Sequence, residues 1–278
     1  MIRQRLGKDL LFFDGGMGTL LQEKGLAPGE LPETWNLTHS EEIYKIHRQY
    51  IEAGSDIILT NTFGANALKF HDDSCSLEEI IKAAVSHVKK AEREALLQTG
   101  DERKIYTALD VGPTGKLLKP MGDLEFETAY EAFKEVVILG EQAGADLIHI
   151  ETMSDTYELK AAVLAAKENT SLPVFATVIF DERKKLLTGA DVSSVVALLE
   201  GLGVDALGIN CAMGPKEMLP VLEELIKYSS VPIIVKPNAG LPKQRDGKTY
   251  YDVTEDEFAA YMEQICLLYT SPSPRDTR

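Results

Sequence analysis

The chain has 278 residues, 44% of them hydrophobic and 26% charged, a balance that suits a soluble globular enzyme of one large α/β domain or two small ones. Its formal charge of −15 argues against a nucleic-acid partner, because a phosphate backbone wants a basic face. No apolar stretch approaches the ~20 residues that span a membrane, and three scattered cysteines make no disulfide framework, so a reducing cytoplasm is expected.

In chain order, the first apolar run, LLFFDGG, reads as a strand opening into a glycine-rich turn; its LLFF core is too short for a signal peptide. SEEIYKIHRQYIEAG follows as a helix, with Ile43, Ile46, Tyr50 and Ile51 on one face and Ser40 placed to cap it. A local phrase then recurs: EAGSDIILTNTF at 52–63, QAGADLIHIETM at 142–153 and GLGVDALGINCA at 201–212. Each closes a helix on a left-handed glycine (Gly54, Gly144 or Gly203) and leads through x-Asp into a buried parallel strand. KIYTALDVG, PVFATVIF and PIIVKPNAG are strands of the same kind without that lead-in. Helical patterns lie between them, and TEDEFAAYMEQI starts a last helix with Thr254 and Glu257 as a capping box.

About seven alternating strand–helix units predict an α/β fold: an incomplete (βα)8 TIM-type barrel whose eighth strand is missing. A doubly wound open sheet is the competing fold. Against it, the glycines of DGGMGT are wrongly spaced for a dinucleotide loop and do not lead directly into a good helix. After Ile265 the sequence becomes CLLYTSPSPRDTR, where proline stops the helix and nothing is apolar enough for a strand. Residues 1–265 are therefore expected to form the barrel and 266–278 a non-native tail.

Chemistry in such barrels gathers at the C-terminal ends of the strands. Those ends carry Asp14-Gly15-Gly16, Thr60-Asn61-Thr62, Asp110, Glu151-Thr152, Asn210-Cys211 and Lys236-Pro237-Asn238, a polar rim. Asp14 reads equally as a turn residue and as a ligand group, while the bare glycine backbone beside it can approach an anion. Glu151 ends the apolar run DLIHIE and needs a partner in the mouth. Asn61 and Asn238 could serve only the loop backbone. By composition Cys211 is a small buried hydrophobe; its place at a strand end points towards a ligand. His149 points either into the core or towards the helices. No His-x-x-x-His, Glu-x-x-His or Gly-x-Ser-x-Gly spacing occurs, which removes histidine-zinc and serine hydrolases.

The segments DGGMGTLLQ, HRQYIEAGSDIILTNTFGAN, DVGPTG, IETMSDTYELKAAVLAAKE, LTGAD, DALGINCAMGP and KPNAG together resemble the homocysteine S-methyltransferase family, and within it the homocysteine-binding barrel of the cobalamin-dependent enzymes. The resemblance implies transfer of a methyl group to the thiol of homocysteine, giving methionine. It implies a zinc ion on three cysteine thiolates, which takes the substrate sulfur as fourth ligand and deprotonates it. The family's GxNC cysteine maps onto Cys211; its other two stand in a GGCCG motif that this chain lacks. The substrate ammonium maps to Asp14 and Glu151, its carboxylate to the backbone at Gly15, and Asn210 and Asn238 line the pocket. Trp35 covers the site or lies in a surface loop. No residue is assigned a catalytic role of its own. The implied donor is methylcobalamin, with cobalamin and folate domains in a longer enzyme or a separate subunit as partners. S-methylmethionine or betaine as donor, a pterin-binding barrel, and an inactive fragment unable to hold zinc remain the alternatives.

Overall fold

Hydrophobic alternation along six short strands shapes the molecule. In the computed structural model, which describes residues 1–70, 75–100, 102–240, 243–245, 248–251 and 253–270, these strands lie parallel and in sequence order around a curled sheet. They are β1 (Ile57–Leu59), β2 (Tyr106–Val111), β3 (Leu147–Met153), β4 (Val174–Val178), β5 (Ala206–Asn210) and β6 (Ile233–Lys236). Before β1 come α1 (Met17–Glu23), α2 (Trp35–Thr38) and α3 (Ser40–Glu52). Then α4 (Leu77–Thr99), α5 (Phe126–Ala143), α6 (Thr156–Asn169), α7 (Val192–Gly201) and α8 (Pro215–Tyr228) connect successive strands. A small antiparallel hairpin, β7 (Lys243–Arg245) and β8 (Lys248–Tyr250), precedes α9 (Glu255–Thr270).

Alternate residues of the strands divide into two apolar layers, as the period of two requires. Ile57, Tyr106, Ala108, Leu147, Phe175, Ala206 and Ile234 meet inside the curl, where Ile2 joins them. Ile148, Ile150, Val174, Ala176, Leu207 and Ile209 face the opposite way, against the helices, and Phe133 of α5 is fully buried among them. Gly208 of β5 has no room for a side chain, since a Cβ there would lie 1.9 Å from the Ile234 carbonyl oxygen.

The repeated Gly-x-Asp phrase has a second function beyond closing helices. Gly54, Gly144 and Gly203 do adopt positive φ. Two residues on, Asp56, Asp146 and Asp205 each pin the start of a neighbouring strand segment. Their carboxylates accept the backbone N–H groups of Phe12 (3.0 Å), Thr107 (2.9 Å) and Val174 (2.9 Å). Their own N–H groups donate back to the carbonyls of the same three residues. Each aspartate thereby closes a two-bond ring that fixes strand register at the N-terminal end of the sheet.

Three local expectations need correction. The first predicted strand, LLFFDGG, is reduced to a single bridge between Phe13 and Ile57, and Leu10 and Phe12 stay exposed. DGGMGT does lead directly into a helix, because α1 begins at Met17 immediately after Gly16. Ser40 is the first residue of α3 and not its cap. The Thr254–Glu257 capping box forms as expected: each side chain takes the other residue's backbone N–H. Helix α9 continues past Ile265, which is buried, to Thr270; the Ser-Pro-Ser-Pro segment lies outside the described residues. No helix among the described residues is long and apolar enough to cross a membrane.

Candidate functional site

The C-terminal ends of the strands open into a cavity of about 790 Å³. Asp14, Gly15, Glu151, Asn210, Cys211 and Asn238, the residues singled out from the sequence, all line it. So do Asp110 and Lys236. Its far wall is apolar, formed by Ile233 and Val235 of β6 and by Phe258, Met262 and Ile265 of α9.

The polar side is built on strand alternation. His149 and Glu151 stand two positions apart, so both project to the inside of β3, where Nε2 of His149 lies 3.3 Å from Glu151 Oε2. The same Glu151 oxygen accepts a 2.9 Å hydrogen bond from Lys236 Nζ, which reaches across from β6. Burial opposes ionisation of Glu151, but Lys236 and then His149 outweigh it and hold the carboxyl below its usual range. Lys236 is likewise disfavoured by burial, yet Glu151, Asp14 and Asp110 together keep its ammonium charged. His149 is fully buried and held neutral chiefly by that burial. It therefore points into the barrel, beside the ring of Phe13 at 5.0 Å.

Asp14 and Asp110 lack such a partner. Asp14 accepts the Leu59 N–H through Oδ2 at 3.0 Å, but its Oδ1 is buried with no hydrogen bond, and so is Oδ1 of Asp110. Burial pushes Asp14 up to about 7, with Lys236 opposing and Glu151 adding. Burial also raises Asp110 well above the ordinary carboxylate range, with Glu151 as the next cause. Beside Asp14, a Cβ on Gly15 would lie 2.7 Å from Tyr50 Oη and would push the Tyr50 ring aside. The Tyr50 hydroxyl donates to the Gly16 carbonyl at 3.1 Å and fixes the turn.

Cys211 follows β5 in a left-handed conformation, φ 53°, and Ala212 continues it at φ 57°. Across from them Thr152, at the end of β3, also has positive φ, 63°. Asn210 ties these strained ends together. Its Nδ2 donates to Thr152 Oγ1 at 2.7 Å and to Cys211 Sγ at 3.3 Å, while its Oδ1 accepts the Thr152 N–H. Burial, and then the charge of Glu151, push the Cys211 thiol up, which keeps it protonated. No group of three His, Cys, Asp or Glu is arranged to hold a metal ion among the described residues.

Two other readings are settled by packing. Trp35 neither covers the cavity nor lies on the surface. It is 3% exposed, packed with Leu21, Ile43 and Ile46, and its Nε1–H donates to Glu30. Asn61 satisfies loop backbone, donating to the Pro32 carbonyl at 2.8 Å, although it also borders the cavity. Lys236, Asp110 and His149 also shape the electrostatics of the site, yet no role was assigned to them from the sequence. Their signal was the inside register of three strands, at or two residues before each polar end.

Residues 11–271 match the family model described as homocysteine S-methyltransferase. The chain belongs to the homocysteine S-methyltransferase family. It is 33% identical over 267 residues to the methionine synthase of Mycobacterium leprae and 34% identical over 265 residues to that of Mycobacterium tuberculosis. Those alignments take in 92% and 91% of this chain but only 22% of each mycobacterial protein. The metallated form of the homocysteine methyltransferase MmuM from Escherichia coli superposes with a TM-score of 0.76, at 25% identity, over 84% of this chain and 85% of that one. This family member thus has a homocysteine methyltransferase fold, with the parallel strands and flanking helices expected of an incomplete barrel.

Proposed function

We propose that the cavity binds homocysteine for transfer of a methyl group to its thiol, giving methionine. The observation that carries this is one cavity holding the complement of an amino-acid thiol: buried carboxylates for the ammonium, bare glycine backbone for the carboxylate, and Cys211 at the rim. Asp14 accepts the ammonium with its unsatisfied Oδ1, and binding the cation favours the ionised carboxylate. The backbone at Gly15 orients the substrate carboxylate, and Tyr50 keeps that turn in place. Asn210 holds Cys211 and Thr152 at fixed positions where the sulfur end of the substrate would arrive. Asn238 borders the same end, its N–H donating to the Met213 carbonyl at 3.1 Å.

The zinc that the family resemblance implies does not fit the described residues alone. They bring one thiol to the cavity rim, where three thiolates would be needed. Methylcobalamin carried by another unit is the proposed donor. The support for it is the resemblance and the pair of methionine synthase relatives, of which the chain spans 22%. A reducing cytoplasm is the setting that keeps both the substrate thiol and Cys211 reduced.

Isothermal titration of the chain with L-homocysteine, L-2-aminobutyrate (no thiol) and 4-mercaptobutyrate (no ammonium) tests the binding reading. L-homocysteine is expected to bind most tightly, because it alone satisfies both ends of the site. Equal affinity for L-2-aminobutyrate would show that nothing in the cavity recognises the sulfur, and would overturn the reading.

A further inference from the structure

We infer that His149 is a positioning residue of the cavity: from the inside of β3 it gives its ring N–H to Glu151 Oε2 and, with Lys236, keeps Glu151 Oε1 free for the ligand ammonium. The inference rests on the amino-acid reading above, in which Glu151 is one of the buried carboxylates that take the ammonium.

Both holders of Glu151 converge on one oxygen. Lys236 Nζ donates to Oε2 at 2.9 Å, and His149 Nε2 lies 3.3 Å from the same atom. Among the described residues nothing donates to Oε1, although Glu151 lines the cavity. An ionised carboxylate accepts on both oxygens, so a ligand at Oε1 displaces neither holder. The two holders differ in stiffness. A lysine ammonium rides on a flexible stem and follows the carboxylate as it turns. The His149 ring cannot follow. It is fully buried, its register partners in the neighbouring strands are Asp110 and Phe175, and the Phe13 ring stands 5.0 Å from it. A donor fixed in this way sets the rotation of the carboxylate, and with it the direction that Oε1 presents to the cavity.

The surroundings also decide where the ring proton sits. A neutral imidazole has one N–H and one acceptor nitrogen. Neither nitrogen of His149 completes a hydrogen bond, the Nε2 contact with Glu151 being close but not fully aligned. A buried N–H without an acceptor is costly, whereas one aimed at a carboxylate is of the strong, charge-assisted kind. The proton therefore belongs on Nε2. Asp110 does not draw it to the other nitrogen: it is the register partner of His149 in β2, yet its Oδ1 makes no hydrogen bond. The layer around the ring is otherwise apolar, with Leu147, Phe175 and Phe13 in it. The carboxylate two positions on is what a histidine in that layer serves.

Two measurements test this. The first needs no variant in the binding step: imidazole nitrogen shifts of the chain labelled at histidine, with His149 assigned by the signals lost on substitution, are expected to show the Nε2–H tautomer at neutral pH. The Nδ1–H tautomer would overturn the inference, because Glu151 would then receive no proton from the ring. The second compares His149→Leu, which removes the donor, with His149→Gln, whose amide N–H can reach the same oxygen. Titration calorimetry with the three ligands above reads the outcome, with the melting temperature as the control for folding. His149→Leu is expected to melt at or above the wild-type temperature, since it removes two buried nitrogens that lack partners. Its affinity for L-homocysteine and L-2-aminobutyrate is expected to fall about fivefold or more, and His149→Gln to recover most of that loss. For 4-mercaptobutyrate, which has no ammonium, affinity is expected to stay within about twofold of wild type in both variants. Unchanged amino-acid affinity in His149→Leu, with the wild type binding normally, overturns this inference alone. So does an equal loss in the two variants, or a matching loss of 4-mercaptobutyrate binding. Absence of amino-acid binding to the wild type overturns the amino-acid reading itself, and this inference with it, whichever tautomer is found.

Discussion

Asp14 and Glu151 are buried in one cavity, yet their surroundings drive their ionisation in opposite directions. Glu151 holds the lysine and stays charged, whereas Asp14 receives only part of that field and titrates near 7. The sign for stability follows from linkage. Between its unfolded value near ~4 and its folded value, Asp14 binds a proton in the native state that the unfolded chain has released, so stability falls as pH rises through that window. Above about 7 the whole cost is present, on the order of a few kcal/mol. Asp14→Asn keeps an acceptor for the Leu59 N–H and removes the charge. It is expected to melt several degrees above wild type at pH 8, with a smaller gap at pH 5, by calorimetry. A gap that widens towards pH 5 would show that the carboxylate is stabilising. Both residues were legible in the sequence as polar ends of apolar strands. Their unequal partnership was not, because it depends on Lys236 crossing from a strand 85 positions away in the chain.

The three Gly-x-Asp joints set the order of the sheet at the level of its elements. The glycines were readable as helix ends, since a left-handed residue before a strand is a local property. The aspartates were readable only as spacing, because their partners, Phe12, Thr107 and Val174, lie in segments 44, 39 and 31 positions earlier in the chain. Asp146 also faces Lys89 and Lys104, a partly exposed pair of cations that adds little at physiological salt. Its backbone acceptor role is the stronger one. Asp146→Ala leaves the Thr107 N–H without that acceptor and is expected to cost about 1–3 kcal/mol in urea unfolding. Asp146→Asn, which keeps an oxygen in place, is expected to recover most of it. Equal losses in the two variants would assign the effect to the lysines instead. The first predicted strand fails at this same scale. Leu10 and Phe12 are exposed, so that segment lacks the two-sided burial that makes the other strands.

Across the molecule, the strands divide labour by layer. Their outer register packs against helices in one large apolar cluster, while their inner register changes along its length from hydrophobic residues to the charged cavity. Fold class was legible because the alternation of strands and helices is written along the whole chain. The electrostatic core was less so: it gathers single residues from the first segment, β2, β3 and β6, each unremarkable in its own neighbourhood. The metal question also belongs to this scale, since a zinc centre needs donors from several places at once. With one thiol at the rim among the described residues, dialysis against zinc followed by a chelator wash and elemental analysis is expected to leave well under one equivalent bound. Retention of a full equivalent would require a donor set that the described residues do not form.

The left-handed backbone at Thr152, Cys211 and Ala212 places the site in tension with the scaffold that bears it. Such conformations cost roughly 1–3 kcal/mol at each non-glycine residue. Glycine at any of the three would relax that cost, and at Cys211 it would erase a side chain from the cavity. A search for heat-resistant descendants of this protein, blind to chemistry, would therefore be drawn to the cavity rim and to the neighbours that position Cys211. Robustness and competence pull against each other along a few bonds, and the asparagine between them holds the compromise.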